Sequence, residues 1–195
     1  MPSLDKLILE VRSCTICKDH LPLNPRPILQ IATSAKILIA GQAPGKKVHL
    51  SGVPFDDQSG ERLRNWLGLT KEQFYDAGLV AILPMGFCYP GSSKSGDAPP
   101  RPECVKEWRE KLLMLLPHVE LTVLIGTYAI DYHLAEKQKD NLTKTVNAWR
   151  EYWPSTIPMP HPSPRNNIWL SKNPWFEKDV LPAVKRRVRS ISLNN

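Results

Sequence analysis

No stretch of this 195-residue chain is apolar for long enough to span a bilayer, and residues 1–11 carry Asp5 and Glu10 without the layout of a secretory signal. Both absences lead to the expectation of a cytoplasmic protein with no membrane partner. Cysteine is scarce, with only Cys14, Cys17, Cys88 and Cys104. In a reducing compartment structural disulfides are disfavoured, so these four invite another explanation. No internal repeat, low-complexity tract or interdomain linker is evident, and the length suits one compact domain over residues 1–195. The first glycine-rich loop, Gly41-Gln-Ala-Pro-Gly45, is neither a Walker phosphate loop nor a dinucleotide fingerprint.

What the chain does have is positive charge and proline. Against 19 Asp+Glu stand 26 Lys+Arg, a net charge of +7. That balance suits a protein that meets phosphates, although basic soluble proteins of other kinds share it. The 19 prolines are about double the usual share and are spread through loops, so they do not form a polyproline tract.

Apolar runs at 37–40, 79–83, 121–125 and 156–159 read as buried strands. Amphipathic spacing predicts helices over 3–12, 59–68 (with Ser59 as cap and Gly68 as stop), 71–76, 103–116 opened by Pro102, 128–136, 142–152 and 174–189. Residues 19–35 and 84–101 read as loops. Strands alternating with helices predict a three-layer α/β/α sandwich around a central four-stranded parallel sheet. The loops after strands one, two and four then share one sheet edge, where such folds hold their ligands. The basic cluster Lys185, Arg186, Arg187 and Arg189 on the last helix reads as a solvated face.

Two residues separate Cys14 from Cys17, and fifteen separate Cys88 from Cys104. A two-plus-two set containing Cys-x-x-Cys reads as a metal or cluster site, and four thiolates suit either tetrahedral zinc or an iron-sulfur cluster.

Gly41-Gln-Ala-Pro-Gly45, Gly52-Val-Pro-Phe55, the four cysteines, Leu124-Ile-Gly-Thr-Tyr-Ala129 and His161-Pro-Ser-Pro164 occur in an order that resembles the uracil-DNA glycosylase superfamily. The cysteine pattern and Gly-x-Pro-Phe are most similar to family 4, which implies a four-iron four-sulfur cluster, with structural zinc the alternative. His161-Pro-Ser-Pro-Arg-Asn166 resembles the second motif of the single-strand-selective monofunctional type, whose arginine belongs to a wedge entering the helix. The resemblance implies a monomeric hydrolase that extrudes uracil or a related deaminated base from DNA and breaks its N-glycosidic bond. A catalytically weak or inactive nucleic-acid-binding protein and a nucleoside hydrolase are the alternatives.

On that reading Phe55 stacks on the extruded base, and His161 donates to the oxygen that becomes anionic on the leaving group. Gly41, Pro44 and Gly45 complete the base site, and the backbone around Gln42, Ala43 and Gly45 binds base oxygens or positions water. Family 4 carries a glutamate where Gln42 stands, and family 1 an aspartate where Ala43 stands, so neither position here offers a general base. Asp56 and Asp57 are the nearest carboxylates in sequence and read as turn or helix-capping residues. The family's base-reading asparagine falls at Pro84, which leaves discrimination to the backbone of residues 85–87, with Met85 first, or to another residue, or implies a base other than uracil. Ser163, Arg165 and Asn166, with Lys46, Lys47 and His49, are expected to meet DNA.

Overall fold

The computed structural model describes residues 4–93 and 96–193. Four strands, β1 (Ile37–Ala40), β2 (Val80–Ile82), β5 (Leu121–Ile125) and β6 (Thr156–Met159), form a parallel sheet in the order β2-β1-β5-β6. Ile37 pairs with Val80 on one side and Leu121 on the other, and Thr122 pairs with Thr156. The short strands β3 (Ser92–Ser93) and β4 (Gly96–Asp97) make a separate antiparallel hairpin.

Side chains alternate across the sheet, and both faces are covered. Ile37, Ile39, Val80, Ile82, Val123, Ile125 and Met159 pack with α3 (Gln58–Leu67) and α10 (Leu181–Leu193). Leu38, Ala81 and Leu83 face the opposite way, onto α1 (Leu4–Arg12) and the helical stretch formed by α5 (Pro102–Cys104), a π-helical segment (Val105–Arg109) and α6 (Glu110–Leu113). Ala40 and Leu124 pack beneath α7 (Thr127–Leu134). Double-sided burial is why the strands are uninterrupted apolar runs in the sequence. The expected three-layer architecture is the one the chain adopts.

The remaining helices are α2 (Lys46–Ser51), α4 (Lys71–Tyr75), α8 (Leu142–Asn147) and α9 (Asn167–Lys172). Neither α2 nor α9 is expected from the sequence, for a physical reason. Gly45 begins α2 in an extended conformation with no side-chain cap, and left-handed Gly52 closes it after six residues that lack an apolar stripe. The cap of α3 also differs from expectation: Asp57, not Ser59, precedes the helix, and its carboxylate accepts from Gly60 N. Ser59 lies inside the first turn and is buried. The loop expected over 84–101 contains the β3–β4 hairpin, and the segment 19–35 contributes Gln30, which bridges Ile82.

Among the described residues, no helix is long and apolar enough to cross a membrane.

Candidate active site and cysteine cluster

At the carboxyl edge of the sheet a cavity of about 220 Å³ draws on three strand ends. The end of β1 contributes Gly41, Gln42, Ala43, Pro44 and Gly45, the end of β2 contributes Pro84, and the loop after β6 contributes His161, Ser163 and Arg165. Phe55 and Asp57 close one side and Asp97, from the hairpin, another. The three separated stretches bearing Gln42, Phe55 and His161 therefore meet at one pocket.

Phe55 holds a left-handed backbone conformation, φ 55°, which a bulky residue adopts only under constraint from its surroundings. Those constraints are visible. Tyr75 donates its hydroxyl hydrogen to Pro54 O at 3.0 Å, and the Phe55 ring meets Phe74 edge-on with centroids 6.1 Å apart. The ring tip also stands 3.4 Å from where a Cβ at residue 41 would sit, so Gly41 lets the aromatic face lie close over the β1 loop.

His161 is fixed by its own loop. Ser163 N donates to His161 Nδ1 at 3.1 Å, and Asn166 Nδ2 donates to His161 O at 2.7 Å. With Nδ1 accepting, the neutral ring carries its proton on Nε2 and is a hydrogen-bond donor there. Burial lowers the imidazole pKa below its ordinary value; the charges of Asp57 and Asp97 raise it, and Arg165 lowers it further. Arg62, on α3, braces the same loop by donating from Nη1 to Ser163 O at 3.3 Å and to Asn167 Oδ1 at 2.9 Å. No pattern in the sequence singles Arg62 out, since its partners are about a hundred residues away.

Some of the expected site residues stand elsewhere. Met85 is buried in the core under α7, and its amide bonds Gly41 O at 2.8 Å. Gly86 N bonds Gln42 O, and Phe87 O accepts from Ile28 N. Behind them, Arg109 Nη1 donates to the carbonyls of Leu83 and Pro84. The backbone next to Pro84 is thus occupied in joining the β1 and β2 loops. Polar groups at the cavity come instead from Gln42, Asp57, Ser59, Asp97, His161, Ser163 and Arg165. Asn166 supports the loop through its bond to His161, while Lys46 and Lys47 are exposed on α2 outside the cavity lining. His49 is buried, with its ring 6.1 Å from Tyr89, and is not on the surface with them.

All four cysteines are free thiols, and they line one small cavity with Leu21, Pro25, Pro27, Phe87, Arg101 and Trp108. Cys14 and Cys17 follow α1, Cys88 lies in the loop after β2, and Cys104 ends α5. Trp108 Nε1 donates to Cys14 Sγ at 3.4 Å. Burial pushes the Cys88 thiol up to about 11 and Cys104 to about 12, the direction expected for thiols with no cation to balance them. Among the described residues, no three His, Cys, Asp or Glu side chains are close enough together to hold a single metal ion.

Residues 29–185 match the family model of the uracil DNA glycosylase superfamily. The chain is also similar to the type-4 uracil-DNA glycosylase of Archaeoglobus fulgidus, with 27% identity over 137 residues. That alignment covers 68% of this chain and 64% of the archaeal protein, so the chain spans less than two thirds of that relative's length.

Proposed function

Since the chain belongs to the uracil-DNA glycosylase superfamily, we propose that it is a DNA glycosylase that removes uracil or a related deaminated base from DNA. The observation that carries this reading is the locked tautomer of His161 at a cavity roofed by Phe55. Cleaving an N-glycosidic bond leaves negative charge on the departing base. A neutral imidazole held with its proton on Nε2 can donate to that charge as it develops, without the rearrangement that solvent would need.

The extruded base would lie against Phe55, whose strained backbone keeps the ring over the Gly41 turn. Backbone of residues 41–45 is left to bind base oxygens. Pro84 offers no side-chain donor or acceptor, and its carbonyl bonds Arg109, so the edge of the base is read by Gln42, Ser59 and the residues of the His161 loop. That set differs from a single asparagine, and it supports a substrate range not confined to uracil. Ser163 and Arg165 at the rim would hold the flanking DNA strand.

The cysteine cavity is proposed to hold a four-iron four-sulfur cluster, with Cys14, Cys17, Cys88 and Cys104 as ligands. Four free thiols facing one apolar-walled space fit such a group. Tetrahedral zinc, with its sulfurs about 2.3 Å from the ion, is the alternative occupant for the same four cysteines. When bound, the cluster would brace the N-terminal segment against the β2 loop and α5.

The test is a panel of oligonucleotides carrying uracil, hypoxanthine or no damage, followed by alkaline cleavage of abasic sites. Scission by the purified protein that disappears in His161→Ala is the expected result. Tight binding without scission on every oligonucleotide would identify a nucleic-acid-binding protein instead. Release of base from free nucleosides, with weak salt dependence, would identify a nucleoside hydrolase.

A further inference from the structure

The loop 41–45 contains no carboxylate, yet water must still be made to attack the sugar once the base leaves. From the position of the β3–β4 hairpin we infer that Asp97 supplies that carboxylate, as a catalytic residue recruited from outside the usual motifs; this rests on the glycosylase reading above.

Asp97 lines the same cavity as Phe55 and His161. Its Oδ2 sits 3.4 Å from where a Cβ at residue 45 would be, so the carboxylate lies in van der Waals reach of the β1 loop. Gln42 holds it there. The Gln42 side-chain amide donates to Ala98 O at 2.9 Å and reaches Asp97 O at 3.4 Å. Ala98 N in turn bonds Gly91 O at 2.8 Å, and Tyr89 and Ser92 join hydroxyls at 2.6 Å, which fixes the base of the hairpin. Gln42 thus stands where family 4 has a glutamate and, instead of contributing an acid, tethers the segment that does.

Asp57 is the other carboxylate at the cavity, and it is already engaged. One of its oxygens accepts from Gly60 N at 2.9 Å as the cap of α3. Among the described residues, the Asp97 carboxylate takes no hydrogen bond of that kind. The charges of Asp57 and of Asp97 both act on His161, and Asp97 lines the same cavity as that imidazole.

The step balances as follows. The C1′–N bond breaks with its electron pair going to the base, and His161 Nε2–H stabilises the anion. Water oxygen forms the new bond to C1′ while its proton passes to Asp97. The base anion takes up a proton on release, and Asp97 returns its own to solvent, restoring the carboxylate.

The experiment is single-turnover base release from the best oligonucleotide of the panel by the full chain, comparing wild type with Asp97→Asn, Asp97→Ala and Asp57→Asn. Asp97→Asn is expected to lose at least about a hundredfold in rate, within the range for removal of a general base. Its affinity for the oligonucleotide and its Tm should stay close to wild type, because the side chain is exposed. Added formate or azide should restore part of the rate of Asp97→Ala, which a merely structural role would not permit. Asn caps a helix about as well as Asp, so Asp57→Asn should lose less than Asp97→Asn. An active wild type with Asp97→Asn within threefold of it, or with Asp57→Asn the more damaged variant, overturns the assignment alone. A wild type that releases no base from any oligonucleotide overturns the glycosylase reading and the assignment with it.

Discussion

The backbone of Phe55 occupies the space that a side chain at residue 60 would need: its carbonyl carbon and its Cβ each lie 2.7 Å from where a Cβ on Gly60 would be built. Gly60 sits in the first turn of α3 and Phe55 just before that helix, so the glycine is what lets Phe55 fold back in its left-handed conformation. Gly60→Ala must push Phe55 away from Gly41. We expect a stability loss of about 1–3 kcal/mol, typical of overpacking, and a fall in base release of at least about tenfold from the misplaced ring. Chemical denaturation and single-turnover rates check the two effects separately.

His161 gives a pH prediction of definite sign. Its folded pKa lies below the ordinary value because burial disfavours the charged ring. The neutral donor therefore persists through pH 7 and somewhat below 6.5, and base release should fall only as further acidification protonates Nδ1 against the Ser163 amide. Arg165 lowers this pKa, so Arg165→Ala should move the acidic limb of the rate profile upward. A limb that stays in place would separate the two side chains electrostatically.

Arg165 also lines the cavity at its rim, with its guanidinium packed over Gly96 of the hairpin. If Arg165 meets phosphate, as proposed, its replacement by alanine should weaken binding across all sequences and flatten the plot of log affinity against log salt by about one unit of slope. Titrations of a fluorescent oligonucleotide at several salt concentrations measure it. A change confined to one base context would mean that Arg165 reads bases.

His133 gives a prediction for acid stability. Arg109 is almost wholly buried between the sheet and α7; its Nη2 meets His133 Nε2 at 2.5 Å, and its guanidinium stands 5.1 Å from the Tyr132 ring centroid. Burial, then the Arg109 charge, pushes the His133 pKa down to about 3. Between about 3 and 6.5 the unfolded chain binds a proton that the folded chain does not, so this histidine's contribution is intact above 6.5 and shrinks as pH falls through that window. The slope reaches at most about 1.4 kcal/mol per pH unit. His133→Gln keeps an acceptor for Arg109 without the titration, and its denaturation midpoint should depend less steeply on pH between 4 and 6.5.

The strands, the Gly41 loop, Phe55 and His161 were legible because each leaves a local mark: an unbroken apolar run, a glycine-proline turn, a histidine between prolines. Asp97 left none. It reaches the cavity through a two-residue strand pairing and a side-chain tether from Gln42, fifty-five positions away, and neither has a sequence period. Met85 shows the converse. Its position after β2 suggested a readable amide, but that amide closes the junction between the β1 and β2 loops, an obligation set by tertiary pairing. Asp57 fell on the expected side, since a carboxylate three residues before a glycine amide at a helix start is a capping pattern.

The cysteine cavity supplies the last prediction. Cys14 and Cys17 share one cavity with Cys88 and Cys104, and all four are free thiols. Trp108, Phe87 and two prolines line that space beside Arg101, so without a bound group the N-terminal segment would be held by the apolar contacts of α1 and the Trp108–Cys14 hydrogen bond. Protein purified without oxygen should contain iron and acid-labile sulfide in equal amounts, about four of each per chain, and show visible absorption that bleaches in air. Cys17→Ser should lose the colour and lower Tm by several degrees, whereas His161→Ala should keep both. Zinc at one per chain, with no sulfide, would assign the same four ligands to a single ion.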